Sequence, residues 1–412
     1  MIPPTPHAQL PGAPHLEGAP LAGLLVVDLS RALAGPHAGQ MLGDLGARVI
    51  KVEAPGSGDE TRSWGPPFVT GDDGENYSTY FLSCNRNKES IALDLKSDDG
   101  RAVLASLLRR ADVLVENFRT GVMDRLGFGT TAIAELNPRL IQLSITGFGH
   151  DGPEGGRAGY DQILQGEAGL MSITGPGPED PQRVGTPIAD LLGGIHGVVG
   201  VLAALHERAT TGRGRVVRAS LLSSLVGVHA FQGTRVTVAG QTPEAQGNHH
   251  PSIAPYGLFR CRDSQVQISV ANDRLWQAFC AEFGLDPSTP GLESNPDRVA
   301  NRPATIAFVE GAFAEIDAVT LLARLDAAGI PAGKVRTLTE VYEWDQVRSQ
   351  GLIVDVEHAA LGEISLPGPV LRFFDVDARG EQERGRTSHA APPTLDEHGA
   401  AIREWLGTEA VR

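Results

Sequence analysis

The chain has 412 residues, enough at roughly 150 residues per domain for two or three domains with cores of their own. Hydrophobic residues make up 41% and charged residues 21%, which excludes disorder as the main state. With 50 acidic residues against 35 basic ones, the net charge of −15 argues against a nucleic-acid or anionic-membrane binder, while leaving room for a local basic pocket.

The three cysteines, Cys84, Cys261 and Cys280, are scattered without CxxC spacing and read as free thiols of a reducing compartment. No apolar run approaches the ~18 residues of a membrane span, the best being Ile195 to Leu205, which contains His196. The first basic residue is Arg31, so a secretory leader is not expected and a cytoplasmic location is. Residues 1–20, rich in proline, read as an arm.

From Leu24 the pattern alternates strand and helix. LLVVDLS (Leu24 to Ser30) reads as a buried strand, followed by a helix opened by Pro36 and running through Leu45 to Gly46. Ala47 to Glu53 and Ser90 to Leu95 read as further strands. A helix is predicted over Asp98 to Arg110, with acids at its start and arginines at its end. Strands at Asp112 to Phe118 and Leu140 to Gly147 flank a helix around Ile133 to Leu136. This alternation predicts an α/β fold with a mostly parallel, doubly wound sheet, its ligand beyond the carboxyl ends of the strands.

Gly147 to Thr186 reads as a long Gly/Pro-rich loop, and loops of that length are usually functional. A long apolar helix is predicted over roughly Asp190 to Arg208, then a strand at Val216 to Leu222. Beyond Gly240 the texture changes to a hairpin (Gly257 to Val270) and helices at Arg274 to Phe283, Ile306 to Glu315 and Val319 to Ala328. The expected division is a large α/β domain over 21–229, a smaller α+β domain over 230–335, and a segment, 336–412, returning to the first. Strand-like runs at Ile353 to Glu357 and Glu363 to Leu366 lie in that segment.

Signatures of familiar chemistries are missing. The residues after the first strand read SRALAG, not GxGxxG, and there is no P-loop, GxSxG or HExxH. His249–His250 reads as loop polarity in preference to a metal site, since adjacent histidines diverge on a regular backbone. Carboxylates in the long loop remain: Asp151, Asp161 and Asp190. Asp190 opens the apolar helix, and position alone favours a helix cap, although the same place would hold a carboxylate nucleophile ionised at a strand-end crevice. For Asp161, a loop-stabilising hydrogen bond is the simplest role.

The runs LLVVDLSRALAGPHAGQMLGDLGARVIKVEAPGSGDETR, NRNKESIALDLK, VENFRTGVMDRLGFG, LNPRLIQLSITGFGHDGP, AGYDQILQGEAGLMSITG, IADLLGGIHGVVGVLAAL and TTGRGRVV go further. In order from about Leu21 to Phe373, they resemble the family III CoA-transferases, a family that also holds α-methylacyl-CoA racemase. GNHHPSIAPYGLF and GEISLPGPVLRF resemble its dicarboxylate branch. The resemblance implies a Rossmann-like large domain, a smaller domain and an interlocked homodimer, with CoA as a substrate and no permanent cofactor or metal.

It also implies roles. Asp190 in IADLLGG matches the nucleophile, which forms a mixed anhydride and then an aspartyl-CoA thioester. Leu93, Asp94, Leu95 and Lys96, with Asn117, Phe118 and Arg119, then Arg125 and Leu221, match stretches that hold CoA. Tyr160 matches an active-site tyrosine near the thioester. The main chain of His250, Pro251, Ser252 and Ile253, standing where formyl-CoA transferase has a Gly-rich cover, would position the acyl group or stabilise an oxyanion. Leu33 and Ala54 replace that enzyme's Gln and Arg. In the racemase branch a histidine precedes the Asp of AG[HY]D. Here that residue is Tyr160, a poor base at neutral pH, so transfer is favoured over racemisation. A catalytically silent CoA-binding protein on the same fold is the other alternative.

Overall fold

The computed structural model describes residues 19–386 and 388–409. The proline-rich arm, apart from Ala19 and Pro20, lies outside the described residues. Two compact units are distinguished: one comprises the chain up to Ala168, Gly185–Ala230 and Asp345 onward, the other Gly169–Val184 and Phe231–Trp344. The division departs from the sequence reading in two places, the second unit running on through Trp344 where 335 was expected. Gly169–Val184, taken as part of the large domain's loop, groups with the second unit.

The first unit is built on β1 (Leu25–Asp28), α1 (Ala34–Asp44), β2 (Arg48–Glu53), β3 (Lys88–Ala92), α2 (Asp98–Arg110), β4 (Val113–Glu116), β5 (Ile141–Thr146), α3 (Asp161–Glu167), α4 (Ile188–Thr211) and β6 (Val216–Ser220). The six strands pair in the order β3-β2-β1-β4-β5-β6, all parallel, with Val26 and Val27 of β1 opposite Val49 and Ile50 on one side and Val113 and Leu114 on the other. The chain runs outward from β1 to β3 and then starts again at β4, so β1 and β4 flank the topological switch point. Leu25, Val27, Ile50, Ile91 and Leu114 are fully buried, as expected of a parallel sheet covered on both faces. α2 matches its predicted bounds because every signal agrees: the Ser97 hydroxyl accepts from the Gly100 N–H at 3.0 Å, acids open the helix and arginines close it.

α4 is longer than its predicted run. Its 24 residues are long and apolar enough by composition to cross a bilayer. In the fold it lies on the sheet through glycines. A Cβ on Gly197 would stand 2.9 Å from Leu143 of β5, one on Gly200 2.5 Å from Val217 of β6, and one on Gly194 2.7 Å from the Ala34 carbonyl of α1. Only hydrogen at those positions lets the helix approach so closely.

The second unit, described by itself, pairs β7 (Tyr256–Arg260), β8 (Gln265–Ser269) and β9 (Ala332–Lys334) antiparallel. It buries Trp276, Phe279, Val309 and Phe313 from α5 (Asp273–Phe283) and α6 (Arg302–Phe313). The chain's end rejoins the first unit. There β10 (Ile353–His358) and β11 (Gly362–Pro367) form a hairpin, and Ile402, Trp405 and Leu406 of α7 (Gly399–Glu409) complete the core around Leu25 and Ile50. That terminal helix and a second hairpin, Phe373–Asp377 with Gly380–Arg384, were not foreseen from the sequence.

Candidate active site

At the switch point the chain leaves β1 through Ser30–Leu33, and buried charges fix its path. Lys51 of β2 pairs with Asp59 at 2.9 Å, both side chains fully buried, and its Nζ donates to the Ser30 carbonyl at 2.8 Å. Asp59 Oδ1 in turn accepts the Ala32 N–H at 3.3 Å. Asn117, just past β4, clamps the same loop: its Oδ1 accepts the Arg31 N–H at 2.9 Å and its Nδ2 donates to the Arg31 carbonyl at 2.7 Å. Ala32 has φ +62°, a left-handed backbone that a non-glycine residue holds only when its surroundings enforce it.

Two cavities open beside this loop, both within the first unit. One, of about 240 Å³, is lined by Arg31, Ala32, Asn117, Phe118, Tyr160, Asp190 and Leu221, among others. The second, of about 850 Å³, is lined by Leu93 to Lys96 and Ala54, and shares Arg31, Phe118 and Arg119 with the first. The site residues picked from sequence in the first unit therefore converge, with one exception. Arg125 lines neither cavity, although its neighbours Val122 and Leu126 line the larger one. Asn117 lines the smaller cavity but spends its amide on the Arg31 backbone. Glu116 braces the turn that follows, accepting from the Ser144 hydroxyl and from the Phe118 N–H at 3.0 Å.

Asp190 is not the helix cap. α4 begins at Ile188, with Pro187 at the cap position and no side-chain bond of its own. Asp161, in the first turn of α3, serves instead: its Oδ1 accepts the N–H of Ala189 at 2.7 Å and of Asp190 at 3.3 Å, while Oδ2 accepts from Gln165 at 2.7 Å. One carboxylate thus satisfies two orphan donors of a neighbouring helix. The Asp190 carboxylate has no hydrogen bond or ion pair among the described residues. Nor is it held firmly ionised, as its place at a helix N-terminus had implied. Burial first, and then the negative charge of Asp161, push its pKa up to about 7. The group is a poorly solvated carboxylate, half ionised near neutrality.

Replacing Asp161 by Asn keeps an acceptor for the helix N–H groups but deletes the repelling charge. In Asp161→Asn the pH at which activity reaches half its plateau on the acid side is expected to fall below its parent value near 7, read from kcat/KM against pH. An unmoved acid limb would show that Asp161 does not act on Asp190.

Sequence reasoning passed over two residues here. Tyr80, stacked edge-on against Trp64 at 5.0 Å, has its phenol held above the usual range by burial and then by the Asp190 charge. Arg31 borders both cavities. For Arg31 a signal existed, since a cation directly after the first strand of a parallel sheet stands where such folds bind ligands.

His250 to Ile253 belong to the second unit. His250 is sandwiched between Phe231 and Tyr256, with centroids 5.6 and 5.1 Å away, while His249 packs edge-on to Phe259. The N–H of His250 donates to the Tyr256 carbonyl at 2.9 Å, that of Ser252 to His250 Nδ1 at 3.1 Å, and that of Ala254 to Asn295 at 3.1 Å. Pro251 has no N–H, so the expectation of main-chain oxyanion donors narrows to Ile253. His150 donates or accepts at Ser144 Oγ, 2.7 Å away, and lines a different cavity from that of Asp190.

A family model for CoA-transferase family III matches residues 21–399. Succinyl-CoA:glutarate CoA-transferase of Mus musculus is 38% identical over 378 residues, 91% of this chain and 84% of that one. Acetyl-CoA:oxalate CoA-transferase of Acetobacter aceti is 38% identical over 397 residues, 95% and 97% of the two chains. Among solved structures, a CaiB/BaiF family protein from Brucella suis superposes with a TM-score of 0.81 at 38% identity, covering 95% of this chain and all of that one.

Proposed function

The chain belongs to CoA-transferase family III, and from that premise we propose that it moves CoA from succinyl-CoA or a similar short acyl-CoA to a carboxylic, chiefly dicarboxylic, acid. The observation that carries this reading is Asp190, an unpaired and poorly solvated carboxylate in the same cavity as Tyr160, beside a second cavity lined by Leu93 to Lys96. The names of the relatives supply the substrate class: succinate, glutarate and oxalate.

In the proposed mechanism the ionised Asp190 oxygen attacks the thioester carbonyl, and the C–S bond breaks to release CoA thiolate and a mixed anhydride. The thiolate then attacks the Asp190 carbonyl and expels the donor acid as its carboxylate, leaving an aspartyl-CoA thioester. An acceptor carboxylate enters and the two steps run in reverse, so the thioester's free energy is kept. Desolvation, which raises the Asp190 pKa, also strips the water shell that would blunt the nucleophile. Exclusion of bulk water spares the anhydride. Tyr160 is assigned to orient the acyl group, and Arg119 and Lys96 to meet CoA phosphates. Family likeness adds an interlocked homodimer to the proposal, and the scattered cysteines a cytoplasmic setting. The stripe Ile195, Val199 and Leu202 on α4, exposed despite its apolarity, supports a partner subunit.

The test is to incubate the protein with succinyl-CoA and a pool of short mono- and dicarboxylic acids and read the CoA esters by mass spectrometry. New esters of dicarboxylic acids are expected, and none with Asp190→Ala. Deuterium exchange at the α-carbon of a 2-methylacyl-CoA without any acceptor would instead favour the racemase.

A further inference from the structure

Three arginines line the small cavity with Asp190: Arg31, Arg119 and Arg157. Arg157 is spoken for, since its guanidinium pairs with Glu167 at 2.7 Å and Glu154 at 3.4 Å and lies over the Phe148 ring. Arg119 sits on the turn after β4 and, like Arg31, lines the large cavity as well, among Leu93 to Lys96. Arg31 differs from both. Its backbone is held on both sides by Asn117 and its guanidinium lies 5.4 Å from the centre of the Phe118 ring. Its side chain has no hydrogen bond or ion pair among the described residues. An aromatic face under a guanidinium fixes the plane of the fork and leaves its edge donors free for a planar anion.

The charges lining the cavity specify which anion. Asp190 and Glu60 are the acids there, so the second carboxylate of a dicarboxylate whose first carboxyl reacts at Asp190 must be held clear of them, and of the three arginines Arg157 is already paired. That carboxylate needs a cation, and a guanidinium is the group that grips one in two-pronged fashion. We propose that Arg31 receives the distal carboxylate of the acyl group and so selects dicarboxylates over monocarboxylates.

This rests on the CoA-transfer reading, and that reading makes a further demand. Donor acyl group and acceptor acid both react at Asp190, so they occupy one place in turn. The residue that recognises a dicarboxylate acceptor must then also recognise the succinyl group of the donor. Arg31 accordingly sets both ends of the exchange, whereas Arg119 serves CoA, which is common to every substrate.

The experiment is a binding comparison in the Asp190→Asn background, where no covalent step can proceed. Dissociation constants are measured by calorimetry for CoA, butyryl-CoA and succinyl-CoA, the last two differing by a methyl in place of the distal carboxylate. With Arg31 present, succinyl-CoA is expected to bind about 10- to 100-fold more tightly than butyryl-CoA, the worth of a charged hydrogen-bonded contact. Arg31→Gln should abolish that preference and leave CoA affinity unchanged, the retained CoA binding also showing that the variant is folded. Arg31→Lys should restore part of the preference.

Equal weakening of all three ligands by Arg31→Gln would make Arg31 a phosphate contact and overturn the proposal. So would a succinyl preference that survives the substitution, or one absent to begin with. Because the readout is affinity, failure here is separable from failure of the transfer reading, which would show as no new CoA esters from the unmutated protein.

Discussion

In Asp190→Asn, CoA transfer falls by a factor on the order of 10⁴ or more, and at pH 8 the protein becomes more stable. The first half follows from the proposed mechanism, because an amide cannot form the anhydride or the aspartyl thioester. The second follows from the site's electrostatics. Burial and Asp161 raise the folded-state pKa of Asp190 to about 7 from an ordinary value of 3.8, so the folded protein holds a proton that the unfolded chain releases. The stabilisation tied to that proton is fully present below about pH 4 and is lost as pH rises through about 7. Asn does not titrate. The gap between variant and parent should therefore open as pH climbs from about 4 and level off above about 7, at roughly 1–3 kcal/mol. Thermal melts at pH 4.5 and pH 8 measure it. A variant that melts lower at both would return Asp190 to a structural role.

The largest expected loss of stability lies one layer beneath the site. Lys88 of β3 and Asp28 of β1 pair at 2.9 Å with both side chains fully buried. The ammonium also donates to the Pro36 carbonyl at 2.7 Å and to Asn85 at 2.9 Å, while Asp28 accepts from Ser30 at the root of the Arg31 loop. Gly39 leaves the room they need, since a Cβ there would stand 2.8 Å from Asp28. Lys88→Met strands a buried carboxylate and is expected to cost about 3–5 kcal/mol, and to lower activity because the loop carrying Arg31 loosens. Asp28→Asn with Lys88→Met, leaving no orphaned charge, should cost less than Lys88→Met alone. Denaturant titration of the parent, the two single variants and the double variant decides it, and costs that simply add would refute the coupling. Burial tends to raise the Asp28 pKa, yet Lys88 and Lys51 hold it below the ordinary range. Its contribution is present above about pH 4 and is lost as pH falls through the folded value, so Lys88→Met should also unfold at higher pH on acidification.

Much of the sheet was legible because its strands are short, branched and bounded by turn residues, and α2 because its cap and end charges agree. The return of the chain's end to the first unit was legible only as strand-like texture. α7 carried a short helical signal in Ile402, Trp405 and Leu406 that went unread, while the hairpin at Phe373–Arg384, whose residues face solvent in large part, carries little periodicity to read. The loop from Gly147 hid α3, a helix of seven residues whose flanking glycines mask it. At the site, the family pattern picked out Asp190, Tyr160 and the stretches 93–96 and 117–119, which line the two cavities. It did not reveal which carboxylate caps α4, because that depends on Asp161 meeting Ala189 across 28 residues of chain. The sign of the Asp190 shift was hidden for the same reason: a helix N-terminus lowers a carboxyl pKa, but burial beside a second carboxylate overrides it, and neither neighbour is visible in sequence order.

The capping of α4 by Asp161 has an evolutionary reading. In the proposed mechanism architecture and chemistry rest on two different aspartates, so the reaction would be lost by one base change at Asp190 without selection for foldability opposing it. Descendants of such a chain that keep Asp161 and Arg31 would persist as receptors for acyl-CoA esters, reporting on a metabolite they no longer convert.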